Sequence, residues 1–183
     1  MEALKHDRRY TYSDYAAWDD DTRYELVDGV AYAMSAPSIA HQRVSMQLST
    51  LLNIFLRGKP CEVLASPVDV LLNAAGDRDD TVLQPDIIVV CDESKLSKKY
   101  CSGAPDMVIE IVSPSSVSRD RVLKFNKYLQ AGVREFWLVD PDSATVSVHV
   151  LENGKYTASA YDKDGIIDVY VLEGCKINLA DVF

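Results

Sequence analysis

A group of side chains in the middle of the chain has the types and spacing of a metal-assisted acid site. Asp86 follows Pro85 and opens the apolar run Ile87-Ile88-Val89-Val90, while Glu110 closes the run Met107-Val108-Ile109. Two short β-rich segments therefore each carry one carboxylate at an end. Two carboxylates brought together by adjacent strands suit a hard divalent cation such as Mg²⁺, which takes oxygen ligands and keeps several waters. Asp120, Lys124 and Tyr128 follow at four-residue steps. That spacing stacks them on one face of a helix, from which a cation can project toward the carboxylate pair.

Each of these residues also has a purely structural reading. Asp86 could simply start a strand, and Lys124 could be an ordinary exposed lysine. Asp120 could do no more than favour a helix N-terminus through the macrodipole. Tyr128 could be packing, or could orient Lys124. Glu110 is harder to dismiss, because a carboxylate within Met107 to Val112 is costly to bury without a cation or a hydrogen-bond donor. A salt bridge to Lys124 would satisfy it without any catalysis. His41 reads either as a capping or core histidine or as a supporting contact of the site. Glu25 sits in an alternating segment and could complete the metal shell.

The elements that must position these residues are legible from pattern. Thr11-Tyr12-Ser13-Asp14 has the form of a capping box ahead of a short helix with Tyr15 and Trp18. The aromatics there could form a dimer surface or cover one edge of the core. Arg23 to Ser35 predicts a hairpin through Asp28-Gly29. From His41 to about Arg57, the stripe Val44, Leu48, Leu51, Leu52 and Phe55 predicts a long helix stopped by Gly58 and Pro60. Glu62 to Leu72, Thr81 to Val90 and Met107 to Val112 read as strands, the first two around a polar turn at Asn73 to Asp80.

Ser118 to Gln130 is expected to be a helix with Ser118 as N-cap, Val122, Phe125 and Leu129 on its core side and Gly132 at its stop. Glu135 to Asp140 reads as a buried strand. The tail reads as antiparallel strands at Val146 to Val150, Tyr156 to Tyr161 and Val169 to Leu172, with turns at Asn153-Gly154 and Asp164-Gly165. The sum is an α/β (α+β) chain: a mixed β-sheet flanked by helices, with additional antiparallel strands at the C-terminus.

A length of 183 residues with 48% hydrophobic content fits one domain over 1–183. The net charge of −9 opposes a broad non-specific grip on nucleic acid, although Arg119, Arg121, Lys124 and Lys127 form a local basic cluster. Cys61, Cys91, Cys101 and Cys175 make no Cys-x-x-Cys pair, and with three histidines there is no zinc framework. Free thiols in a reducing cytoplasm are the expectation. The N-terminus lacks an apolar secretory core and no run approaches a membrane span, so a soluble intracellular protein is expected. Gly-rich phosphate loops and a Gly-x-Ser-x-Gly elbow are absent.

Taken in order, Tyr24 to Gly29, His41-Gln42, Gln84-Pro85-Asp86, Ala104-Pro105-Asp106 to Glu110, Ser113-Pro114-Ser115, Asp120 to Lys124 to Tyr128, and Gly132 to Pro141 resemble the Uma-two family of putative restriction endonucleases, within the PD-(D/E)XK nuclease superfamily. The likeness covers nearly the whole chain. It implies a restriction-endonuclease-like fold that hydrolyses DNA phosphodiesters with Mg²⁺, or Mn²⁺ in its place, usually as a homodimer. Asp86 and Glu110 match the superfamily's metal-binding acids. The lysine expected two residues after the second acid is replaced by Val112, and Lys124 on the following helix is the matching position. The implied machinery is Asp86, Glu110, Lys124 and Glu25, with His41, Asp120 and Tyr128 in support. A fold of this kind can also serve as a catalytically silent module that binds nucleic acid or protein.

Overall fold

The computed structural model describes residues 8–19, 21–112 and 118–183, with the side chains of 118–121 outside that description. Helix α1 (Tyr12–Tyr15) begins with the expected box, the Asp14 carboxylate accepting from the Thr11 amide at 3.0 Å. Strands β1 (Tyr24–Val27) and β2 (Val30–Ala33) pair antiparallel through Asp28-Gly29. Their φ values of 49° and 74° are those a two-residue hairpin turn demands. Helix α2 (Ile39–Leu56) starts slightly earlier than the apolar stripe suggests, because Ser38 caps it by accepting from the His41 amide at 3.1 Å.

Beyond α2 the chain completes two large sheets. Strands β3 (Glu62–Ala65), β6 (Ile87–Val90), β8 (Met107–Ile111), β9 (Glu135–Asp140), β10 (Thr145–Glu152) and β11 (Lys155–Asp162) form one in the order β11-β10-β9-β8-β6-β3. Strands β4 (Asp69–Leu71), β5 (Val82–Leu83) and β7 (Tyr100–Ser102) join the hairpin in the other, ordered β2-β1-β5-β4-β7. The larger sheet is mixed: β8 and β9 run parallel, connected across α3 (Ser118–Ala131). Alternation along its strands sorts the core. Ile87, Val89, Met107, Ile109 and Trp137 pack with the Val44, Leu48 and Leu52 stripe of α2, whereas Ile88, Val90, Val108 and Phe136 pack with Tyr128 of α3.

Several expectations are corrected. Glu62 to Leu72 and Thr81 to Val90 are not single strands. Each breaks at a proline, Pro67 or Pro85, which has no amide to donate, and the two halves enter different sheets. Val169 to Leu172 is a turn, with the Leu172 amide on the Val169 carbonyl at 3.2 Å and the Val171 amide donated to the Glu135 carboxylate at 2.9 Å. The tail pairs instead through β12 (Ile166–Asp168) and β13 (Lys176–Asn178). Val122 is 62% exposed, and Tyr128, at 0%, takes the inward place on α3.

The expectation of four free thiols also fails. The β3–β6 register sets Glu62 against Val90, so Cys61 stands opposite Cys91, and the two form a disulfide. Cys101 and Cys175 are free and buried. The N-terminal aromatics cover an edge of the smaller sheet: Trp18 meets Tyr10 and Tyr24 edge-on, with ring centroids 5.2 and 5.0 Å apart. No described helix is long and apolar enough to cross a membrane.

Candidate active site

The β6–β8 register pairs Ile87 with Ile109, so one step further Asp86 stands opposite Glu110, as the two strand-end carboxylates require. Pro85 separates Asp86 from β5, and the Asp86 carbonyl accepts from the Ser66 amide at 2.9 Å at the start of β6. One Asp86 oxygen accepts from the Ile111 amide at 2.7 Å, and the other lies 3.1 Å from His41 Nε2. His41 is thus a contact of the site as well as the third residue of α2. Its backbone amide meets the Ser38 cap, while its buried Nδ1 has no hydrogen-bond partner among the described residues.

Glu110 is held by α3. Lys124 Nζ lies 3.2 Å from its Oε1, and the Tyr128 hydroxyl donates to the same oxygen at 2.5 Å. The four-residue step between Lys124 and Tyr128 delivers both groups to one carboxylate. Lys124 also contacts Glu25 Oε1 at 2.8 Å, and that oxygen accepts from the Gln84 amide at the same distance. Glu25, Asp86, Glu110 and Lys124 line one cavity of about 940 Å³. Asp120 lies in α3, but its side chain is outside the described residues, as is the expected Ser118 cap. Of the basic cluster, Lys127 is paired with Asp28 at 2.6 Å and Lys124 is turned inward, while the side chains of Arg119 and Arg121 lie outside the described residues.

Three carboxylates around one ammonium leave the site rich in negative charge. Burial pushes the Glu110 carboxyl up to about 7; Lys124 opposes that rise, Asp86 and Glu25 add to it, and the Tyr128 hydrogen bond opposes it. Burial alone would lower the Lys124 ammonium, but Glu110 and Glu25 outweigh it and hold the lysine protonated far above neutrality. The Tyr128 hydroxyl, buried beside Glu110, is raised well above its ordinary value. Replacing it in Tyr128→Phe removes a hydrogen bond that lowers the Glu110 pKa. The Glu110 carboxyl of the metal-free variant is therefore expected to titrate above about 7 in a carboxyl NMR titration.

Among the described residues no three His, Cys, Asp or Glu side chains converge as a metal cage. The donors nevertheless fit a magnesium-type ion, which needs only one or two carboxylates and keeps water in its other positions. Asp86 and Glu110 face each other at the cavity, and the negative charge of Asp86 and Glu25, which adds to the burial that raises Glu110, is the field in which a cation is welcome.

Two contributors escaped the sequence reading. Gln84 accepts from Arg23 Nε at 3.0 Å through its side-chain oxygen and donates to Asp69 and the Tyr15 hydroxyl, both at 2.8 Å. Arg23, two residues before Glu25 and so on the same side of the strand direction, brings a guanidinium to the cavity. The signals were available: Gln84 directly precedes Pro85-Asp86, and Arg23 sits at i−2 from Glu25.

This geometry can be set beside other proteins. The profile of the Uma2 family, described as putative restriction endonucleases, matches residues 12–180. The chain belongs to the Uma2 family. An uncharacterised protein of Synechocystis sp. is 30% identical over 139 residues, covering 74% of this chain and 71% of that protein. A crystal structure from Anabaena variabilis, described as a putative nuclease, superposes with a TM-score of 0.75 at 20% identity, covering 94% of this chain and 97% of the other. At that identity the likeness concerns the fold: a Uma2 chain with the same mixed α+β architecture.

Proposed function

We propose that this Uma2 protein is a metal-dependent nuclease that hydrolyses DNA phosphodiester bonds, with Asp86 and Glu110 holding Mg²⁺ and Mn²⁺ able to substitute. The observation that carries the reading is the meeting of Asp86, Glu110, Glu25 and Lys124 at one cavity in a chain of this family. When bound, the metal would polarise the scissile phosphate and lower the pKa of a water. The rest is work for the protein's own groups. The Ile111 amide and His41 fix the orientation of Asp86, and Tyr128 fixes one Glu110 oxygen.

Glu25 keeps Lys124 aimed at the same point, so its ammonium is ready to stabilise negative charge developing on the phosphate. That is the duty of the lysine missing at Val112, supplied here from α3. A homodimer is part of the proposal: Ile39, Met46 and Ile54 are exposed on the face of α2 opposite its core stripe, an apolar row suited to a second copy.

A second reading, a silent nuclease fold that only binds a partner, draws on the net charge of −9 and on Val112. Titration with Mn²⁺ separates the two. The nuclease reading expects a binding event that weakens by about tenfold or more in Asp86→Asn, in line with the loss of one of two charged ligands. Absence of Mn²⁺ binding to the wild type would favour the silent module.

A further inference from the structure

The cavity that holds the carboxylates has two ends of opposite character. Its charged lining, Arg23, Glu25, Asp86, Glu110 and Lys124, lies at one end. Across the sheet the register runs from Glu110 to Leu138 on β9 and on to Ser147 on β10. Two inter-strand spacings place Ser147 roughly 10 Å from Glu110. His149, opposite Phe136, shares the Ser147 side of β10, and Phe125 of α3 closes over it with ring centroids 5.1 Å apart. Val122, Phe125, Phe136, Leu138, Ser147 and His149 therefore form an end with aromatic surface, two uncharged polar groups and no formal charge.

That end is not packed shut. His149 stacks on Phe136 at 5.6 Å and lines the cavity with its ring only partly buried. Burial lowers its pKa, so at neutral pH the ring offers one donor and one acceptor. Ser147 adds a hydroxyl that can do either. A cavity of about 940 Å³ is of the size that takes a single small ligand.

A nucleotide has the same two-ended chemistry, a charged phosphate joined to a flat, uncharged ring with polar edges. Building on the nuclease reading above, we infer that the Phe125, Ser147 and His149 end is a base-binding pocket. It receives one unpaired nucleobase next to the scissile phosphate, which the Lys124 ammonium and a metal on Asp86 and Glu110 would hold. The substrate class is then single-stranded nucleic acid, or duplex opened at one nucleotide, since a base can enter only when unstacked. Aromatic side chains supply sequence-tolerant stacking in such sites.

Fluorescence anisotropy with Ca²⁺ in place of Mg²⁺ tests this on the full chain. Three labelled ligands are compared: a short single strand, the same strand with abasic positions, and its perfect duplex. The inference expects the intact strand to bind at least about tenfold tighter than the abasic strand. It also expects Phe125→Ala to erase that preference. Ser147→Leu, which fills the pocket without removing a core ring, should do the same, and thermal melting verifies that both variants fold. Equal binding of intact and abasic strands, or a preference unchanged in the folded variants, overturns the pocket. If the wild type still cleaves DNA with Mg²⁺ in that case, the nuclease reading survives alone. A protein that neither binds nor cuts any of the three overturns both.

Discussion

Asp86→Asn is expected to lower metal-dependent cleavage by about 10² to 10³, the typical cost of removing one preorganised electrostatic group from a reaction centre, while the protein stays folded. The substitution keeps the shape of the side chain and an oxygen able to accept from the Ile111 amide, now at 2.7 Å, so the β6–β8 junction keeps its hydrogen bond. What it removes is the charge facing Glu110. Asp86→Ala is a harsher test, because it also leaves the Ile111 amide and His41 Nε2 without their partner. An unsatisfied buried donor costs about 1–3 kcal/mol, so the alanine variant should lose both activity and some thermal stability. Cleavage rates and melting curves of the two variants separate these effects. An asparagine variant that cleaves at the wild-type rate would remove Asp86 from the mechanism.

The second large effect is in stability. Lys124 is the cation among Glu25, Glu110 and Asp86, and its side chain is 18% exposed. Lys124→Met keeps much of the aliphatic stem and leaves the carboxylates facing one another. Breaking a buried pair in this way typically costs about 3–5 kcal/mol, and cleavage should fall as well because the phosphate loses its protein cation.

The loss of stability should depend on pH in a defined direction. The Glu110 carboxyl of the folded protein is already raised by burial to about 7, against an ordinary value of 4.5, and removing Lys124 raises it further. A group whose pKa is raised by folding stabilises the protein at acid pH, and that contribution is lost as pH climbs through the folded-state pKa. Denaturant midpoints of Lys124→Met should therefore fall more steeply than those of the wild type as pH climbs from acid values to above about 7. A small deficit that does not change with pH would mean that Lys124 does not hold these carboxylates together.

Much of this site could be read from the chain, for reasons that lie in particular residues. Asp86 opens one short apolar run and Glu110 closes another, so antiparallel pairing of those runs in the right register brings the carboxylates opposite one another. Lys124 and Tyr128 are one helical turn apart, and both reach Glu110. The hairpin was equally legible, because Asp28-Gly29 admits few backbone shapes.

The failures have physical causes too. Reading α3 by its apolar residues put Val122 inward, but the inward row includes Lys124 and Tyr128, drawn in by Glu110. Apolar periodicity cannot see a helix face that is polar because it serves a charged site. Pro67 and Pro85 sit in runs that read as continuous strands, and only the assembled sheets reveal that each proline is where the chain passes between them. The Cys61–Cys91 bridge joins cysteines 30 residues apart through the pairing of two strands, which spacing alone does not reveal. The wall of Phe125, Phe136 and His149 is likewise assembled from α3, β9 and β10 by sheet register.

The most direct test is to incubate the purified protein with supercoiled and single-stranded DNA, with Mg²⁺ and with a chelator, beside Asp86→Asn checked for folding. Cleavage by the wild type that requires the metal and nearly vanishes in the variant is the predicted result. No cleavage with either Mg²⁺ or Mn²⁺, or equal cleavage by both proteins, would contradict a metal-dependent nuclease built on Asp86 and Glu110.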